Sequence, residues 1–301
     1  MTLENEQIKP EIMLREKQKV GLGRDFTQIG DTITFELKRN IKNFILMLLV
    51  FVGVFAIFLI VSELQYMQDV PLPEDPIEYI QSYLGTMFGF LIILSAAGFA
   101  GSIIAEDFHR QTGNLLFPKI NKTRLLIGRV ISRYSLNAIC VSIYYILVGA
   151  MTFIKYEEIP LVIWVSLGWA LLYTFMMFSF VTLISSLLKS TAISIIISIL
   201  FLLMVFNLII MILRFAGVEG EPLYILTYYE GIIGASMDMP DIRYVEIRIP
   251  TGPGGGGGEF ATFINWTTPT EAAALIGMLI FISVFLVLAY LRFRQRQSKS
   301  E

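Results

Sequence analysis

The chain has 301 residues, 55% hydrophobic and 16% charged, with a formal net charge of −2. So balanced a charge implies no nucleic-acid partner. With a single cysteine, Cys140, and a single histidine, His109, it can form neither an intrachain disulfide nor a cysteine or multi-histidine metal site.

Met1–Arg24 is charged and lacks a sustained apolar stripe, which predicts a tail over residues 1–25. From Phe26, Ile29, Ile33 and Leu37 recur at helical spacing, with Asp31 or Thr32 able to cap and Lys38, Arg39 and Lys42 following. That pattern predicts an amphipathic helix lying on the inner leaflet and turning into a first span.

Six apolar stretches follow: Phe44–Ser62, Tyr83–Ala105, Tyr134–Ile154, Leu161–Leu188, Thr191–Leu213 and Ala272–Leu291. Each is near or above the ~20 residues that cross a bilayer as a helix. None alternates apolar and polar residues as the strands of a closed barrel do. Leu161–Leu213 carries one charge, Lys189, and fits two spans joined by a turn at Ser185, Ser186, Lys189 and Ser190. The first stretch follows a long polar segment and is itself long enough to stay as an anchor, so no cleavable signal peptide is expected.

Basic residues set the orientation. Eight of the 23 Lys and Arg precede span one, six lie in Arg110–Arg133, one is Lys189 and four follow Leu291. The positive-inside rule then predicts a multi-pass protein of the cell membrane with both termini, and the loops after spans two and four, in the cytoplasm. The connection Glu63–Glu78 has five acids and no base and reads as a solvated outer loop.

Residues 214–268 form the largest outer segment and are too few for an enzyme domain of ordinary size. Tyr244–Ile249 alternates as a half-buried strand and can pair with Phe260–Ile264 across a glycine-rich linker. Thr268, Pro269 and Glu271 have the order of a helix cap for span six, within residues 269–291, and residues 292–301 form the final tail. The predicted fold is an all-α polytopic membrane protein: residues 26–213 hold the amphipathic helix and spans one to five, and a small external α/β segment separates spans five and six.

Between spans two and three, Ile104 to Arg129 brings carboxylates to the end of a helix, then Gly113, an apolar trio Leu115-Leu116-Phe117, Pro118 and a helix start at Thr123. Such a loop makes a short stiff docking element. The arrangement resembles the membrane subunits of type-2 ABC exporters. The residues that carry the resemblance are Glu106, Thr112-Gly113, Leu115-Leu116, Pro118, Arg124 and Gly128-Arg129, with Phe35-Glu36-Leu37-Lys38-Arg39 before span one and Ser185 to Ser190 between spans four and five. Thr112-Gly113 reverses the commoner Gly-Thr order.

The resemblance implies a permease subunit of an ATP-driven transporter, an exporter by family, working as a homo- or heterodimer in the lipid bilayer. The path would form between the two subunits, and the loop after span two would couple each to a separate cytoplasmic ABC ATPase. The chain contains no Gly-x-x-x-x-Gly-Lys-Ser/Thr phosphate loop, so ATP and Mg are expected on that partner and no cofactor on this chain. Gly85 and Gly89 in span two, Ser190, Ser194 and Ser198 on one face of span five, and Asn207 are candidates for the path, for the dimer interface, or for packing within one subunit. Trp164, Trp169 and Trp266 read as interfacial residues. Two other classes stay open: a membrane-embedded enzyme, for which the spans offer almost no titratable groups, and a non-transporting scaffold.

Overall fold

The computed structural model describes residues 22–68, 71–106, 122–216, 218, 220–250 and 260–298. Helix α1 (Leu22–Met67) is one unbroken run of 46 residues, about 69 Å at ~1.5 Å per residue. The expected turn between an interfacial helix and span one is absent, and Asp31 and Thr32 lie inside α1 rather than capping it. Part of the reason is tertiary, since Thr32 packs against Gly128 in the folded chain. No proline interrupts this stretch, and the Thr32 and Thr34 hydroxyls donate to the carbonyls of Gln28 at 2.8 Å and Gly30 at 3.0 Å, one turn back. The buried face is Thr32, Glu36 and Asn40 at four-residue steps, with Ile29, Ile33 and Leu37 only half-buried beside it.

Helix α2 (Pro76–Tyr83) begins at Asp75, whose carboxylate accepts from the Ile77 amide at 2.8 Å. It breaks at Leu84 and Gly85 and resumes as α3 (Thr86–Ala100), the axis bending by 43°. Then come α4 (Lys122–Tyr156), α5 (Val162–Leu187) and α6 (Thr191–Leu200), which runs through a π-helical turn, Phe201–Val205, into α7 (Phe206–Phe215). A 3-10 turn (Leu226–Glu230), a one-turn helix α8 (Gly231–Ala235), strands β1 (Tyr244–Pro250) and β2 (Phe260–Trp266), and α9 (Glu271–Ser298) complete the described chain.

Among the described residues, five segments are long and apolar enough to cross a membrane: Thr27–Met67, Thr123–Tyr156, Val162–Leu187, Thr191–Leu213 and Glu271–Gln295. The bent pair α2 and α3 is the sixth candidate. Their outer faces are lined with exposed large hydrophobics such as Leu49, Ile57, Ile196, Ile212, Ile276 and Ile280. An apolar surface this extensive suits lipid and not water.

Inside, α1 runs along α4, α9 along α5, and α3 lies against both α4 and α5. Lipid tails are as apolar as leucine, so such packing relies on van der Waals contact and hydrogen bonds. Tyr144 shows both. Its ring stacks on Phe88 at 4.9 Å and meets Phe55 and Phe51 edge-on at 6.0 and 6.1 Å, while its hydroxyl donates to the Tyr83 carbonyl at 2.9 Å. Each ring pair contributes ~0.5–1.5 kcal/mol beyond area burial.

The hairpin has the expected partners: β1 and β2 are antiparallel, with Tyr244 opposite Trp266 and Pro250 opposite Phe260. The linker glycines at 251–259 lie outside the described residues. The turn between α5 and α6 is Leu188–Ser190, so Ser185 and Ser186 belong to the end of α5. The cap of the last helix also moves. The Thr270 hydroxyl accepts from the Ala273 amide at 3.3 Å, because Thr268 is buried beside the hairpin and its carbonyl accepts from Arg243.

Candidate functional site

Among the described residues, two places stand out from the apolar bundle: an ion cluster at the end of the bundle where α3 leaves and α4 enters, and a cavity toward the other end of α3. The cluster centres on Glu36 of α1, which is buried. Arg129 and Arg133 of α4 approach its two carboxylate oxygens at 3.2 and 3.1 Å, and Arg39 lies 2.9 Å away one turn along α1. Asn40 donates to the same carboxylate at 3.1 Å.

Arg133 extends the cluster toward α3. It donates to the Phe99 carbonyl at 3.3 Å, to the Ser102 hydroxyl and to Glu106 at 3.3 Å. Glu106 also accepts from Arg39 at 3.1 Å. Arg129 donates to the Ile103 carbonyl at 3.0 Å. Across the bundle, the Ser185 hydroxyl of α5 accepts from the amides of Ile104 and Ala105, both at 3.1 Å, supplying acceptors where the regular helix has ended. Two carboxylates and three guanidiniums thus tie α1, the exit of α3 and the entry of α4 into one unit. Only Arg has the planar fork needed to meet four acceptors at once.

The coupling residues expected from sequence divide in two. Glu106, Arg124 and Gly128 fall in described segments: Arg124 donates to Gln28 at 2.7 Å, and a Cβ at Gly128 would sit 2.8 Å from Thr32, so α4 approaches α1 closely there. Thr112, Gly113, Leu115, Leu116 and Pro118 lie outside the described residues.

The cavity, about 840 Å³, is bounded by Met87 and Phe90 of α3, Leu202 and Leu203 of the π turn, Ile210 of α7, and residues of the segment 227–240 with Trp266. Its charged lining is Glu230 and Asp238. The Glu230 carboxyl is seated against Gly89, where any Cβ would overlap it. Burial pushes this carboxyl up to about 7.

Gly85 and Asn207 line the same cavity. The Asn207 amide donates to the Leu203 carbonyl of its own helix at 2.7 Å, not across helices, at the edge of the wide π turn. Ser194 and Ser198 are fully buried inside the single chain, which leaves Ile193, Ile196 and Leu200 as the outward face of α6; Ser190 is half-buried. Trp266 sits at the hairpin end with the Arg243 guanidinium 5.4 Å from its ring centre.

Two residues gain importance that sequence reading did not give them. Glu36 stood inside a motif, but its partners Arg129 and Arg133 lie far along the chain. Glu230 stood unnoticed, although one acid within the otherwise uncharged run Tyr228 to Ala235 was a legible signal. Comparison of the chain with known family models and with curated proteins gives no match in either case.

Proposed function

We propose that the chain is the permease subunit of an ATP-driven ABC transporter, acting as a dimer with a separate cytoplasmic ATPase. The observation that carries this reading is the ion cluster. It joins α1, α4 and the stretch after α3 at Glu106, where the segment resembling an exporter coupling loop begins. A force applied to that segment by a partner would reach three helices together instead of bending one. Among the groups of the cluster, every carboxylate is matched by guanidinium, so the assembly suits mechanical linkage more than proton transfer or nucleophilic chemistry.

In this reading the basic end faces the cytoplasm, as the distribution of Lys and Arg predicts. The cavity lies toward the outer side and touches spans two and five, the spans that in the resembled family mainly line a substrate path between two subunits. Affinity purification of the chain from its native membranes tests the proposal. An ATPase subunit bearing a phosphate loop should co-purify in near-stoichiometric amount; its absence from a folded, dimeric preparation would overturn the reading.

A further inference from the structure

We infer that the cavity beside α3 is a binding site for a lipophilic organic cation, with the Glu230 carboxylate as its counter-charge. This names a substrate class for the proposed permease and rests on that reading for transport, whereas binding is a property of this chain alone.

The electrostatics are one-sided. Among the described residues, Glu230 and Asp238 line the cavity and no Lys or Arg does. The nearby Arg243 is engaged by Glu221 at 2.9 Å, by the Thr268 carbonyl at 3.3 Å and by the Trp266 ring. Among the described residues, Glu230 makes no hydrogen bond or ion pair. A half-buried carboxylate without a partner is costly, and the cost is offset when a cation arrives. Its seat is shaped for this: Gly89 offers no side chain, so the carboxyl rests against the helix backbone facing the cavity.

The walls decide the kind of cation. Met87, Phe90, Leu202 and Ile210 are apolar or aromatic, and the volume falls in the ~300–1,000 Å³ range of small-molecule sites. A bare metal ion requires several convergent oxygens, whereas among the described residues no three acidic, His or Cys side chains gather, and Asp238 is exposed. An organic cation instead uses one carboxylate, aromatic faces and apolar contact. The Thr227 hydroxyl, buried and without a partner, and the Asn207 amide add polar points for orientation.

Tyr173 of α5, which is wholly buried, faces Glu230, and Asp238 and Tyr228 share its cavity; among the described residues no basic group joins them. With the carboxyl raised to about 7, binding should strengthen as pH rises through that value and the counter-charge forms. The stability sign is opposite. An acid whose folded pKa lies above its unfolded one contributes stability below about pH 4, lost as pH rises through about 7. Glu230→Gln removes that penalty, so the variant should fold at least as well as the wild type above neutrality.

The test is equilibrium binding of tetraphenylphosphonium to the purified chain in lipid nanodiscs, without ATPase, corrected for empty nanodiscs. Tetraphenylborate, of the same shape and opposite charge, is the control. We expect saturable phosphonium binding that weakens at least about tenfold in Glu230→Gln and again in the wild type on lowering the pH to about 5.5, with no borate competition. Absence of saturable phosphonium binding, an unchanged affinity in Glu230→Gln, a flat pH profile in the wild type, or equal binding of borate would overturn the inference. The pH series uses the wild type, so it stands whether or not the variant folds. None of these results bears on whether an ATPase co-purifies, which is how a failure here is told apart from a failure of the permease reading.

Discussion

Arg133 satisfies acceptors on α1 and on both sides of the α3 exit, yet it is Glu36 that holds the cluster together. Three guanidiniums converge on Glu36, so Glu36→Leu strands two buried cations at once and should cost toward ~5 kcal/mol of stability. Arg133→Met leaves Glu36 with Arg129 and Arg39, and should cost nearer ~3 kcal/mol. Glu106 is partly exposed and keeps Arg39 when Arg133 is lost, so Glu106→Gln should cost ~1 kcal/mol or less. Thermal unfolding of the three variants in the same detergent checks the order; a Glu36→Leu protein more stable than Arg133→Met would show that the cluster is not organised around Glu36. Little of this was legible in the sequence. Glu36, Arg39 and Arg129 were conspicuous as charges near spans, but a pairing across 97 residues depends on how α1 and α4 lie side by side. Glu230 escaped for a similar reason, since its meaning comes from Gly89 on a distant helix.

Among the elements, those with a strong local signal were readable and those set by tertiary context were not. Tyr244 to Ile249 alternates cleanly and pairs with the expected partner strand, and the apolar stretches coincide with helices. The continuity of α1 was hidden because Asp31 and Thr32 are good caps in isolation. In the folded chain Thr32 instead packs against Gly128, and the helix simply continues. The break at Leu84 and Gly85 and the π turn at Phe201–Val205 also left no clear mark, since apolar residues fill both. Asp31→Pro separates the two views of α1. A proline is tolerated near a helix start but costs ~3 kcal/mol in an interior, where it loses a hydrogen bond and clashes one turn back. We expect a marked fall in the unfolding temperature of Asp31→Pro; a wild-type value would mean that a separate helix begins there.

The whole molecule has two ends with different chemistry. One is a charged cluster joining α1, Glu106 and α4, and the other a cavity with acidic residues and apolar walls, with α3 reaching both. The proposed permease uses the first end to receive work from an ATPase and the second to hold what is moved. The reading therefore depends most on the segment after Glu106, where Leu116 would sit in an apolar contact with the partner. Introducing a charge there should break the contact, at a cost of several kcal/mol, without disturbing spans that lie in lipid. The decisive measurement is ATP turnover and co-purified ATPase for the complex carrying Leu116→Asp, beside Lys189→Asp at an exposed turn of the same end. The account predicts that Leu116→Asp still inserts and dimerises but loses ATPase binding or substrate-stimulated turnover, while Lys189→Asp keeps both; normal binding and turnover in Leu116→Asp would contradict it.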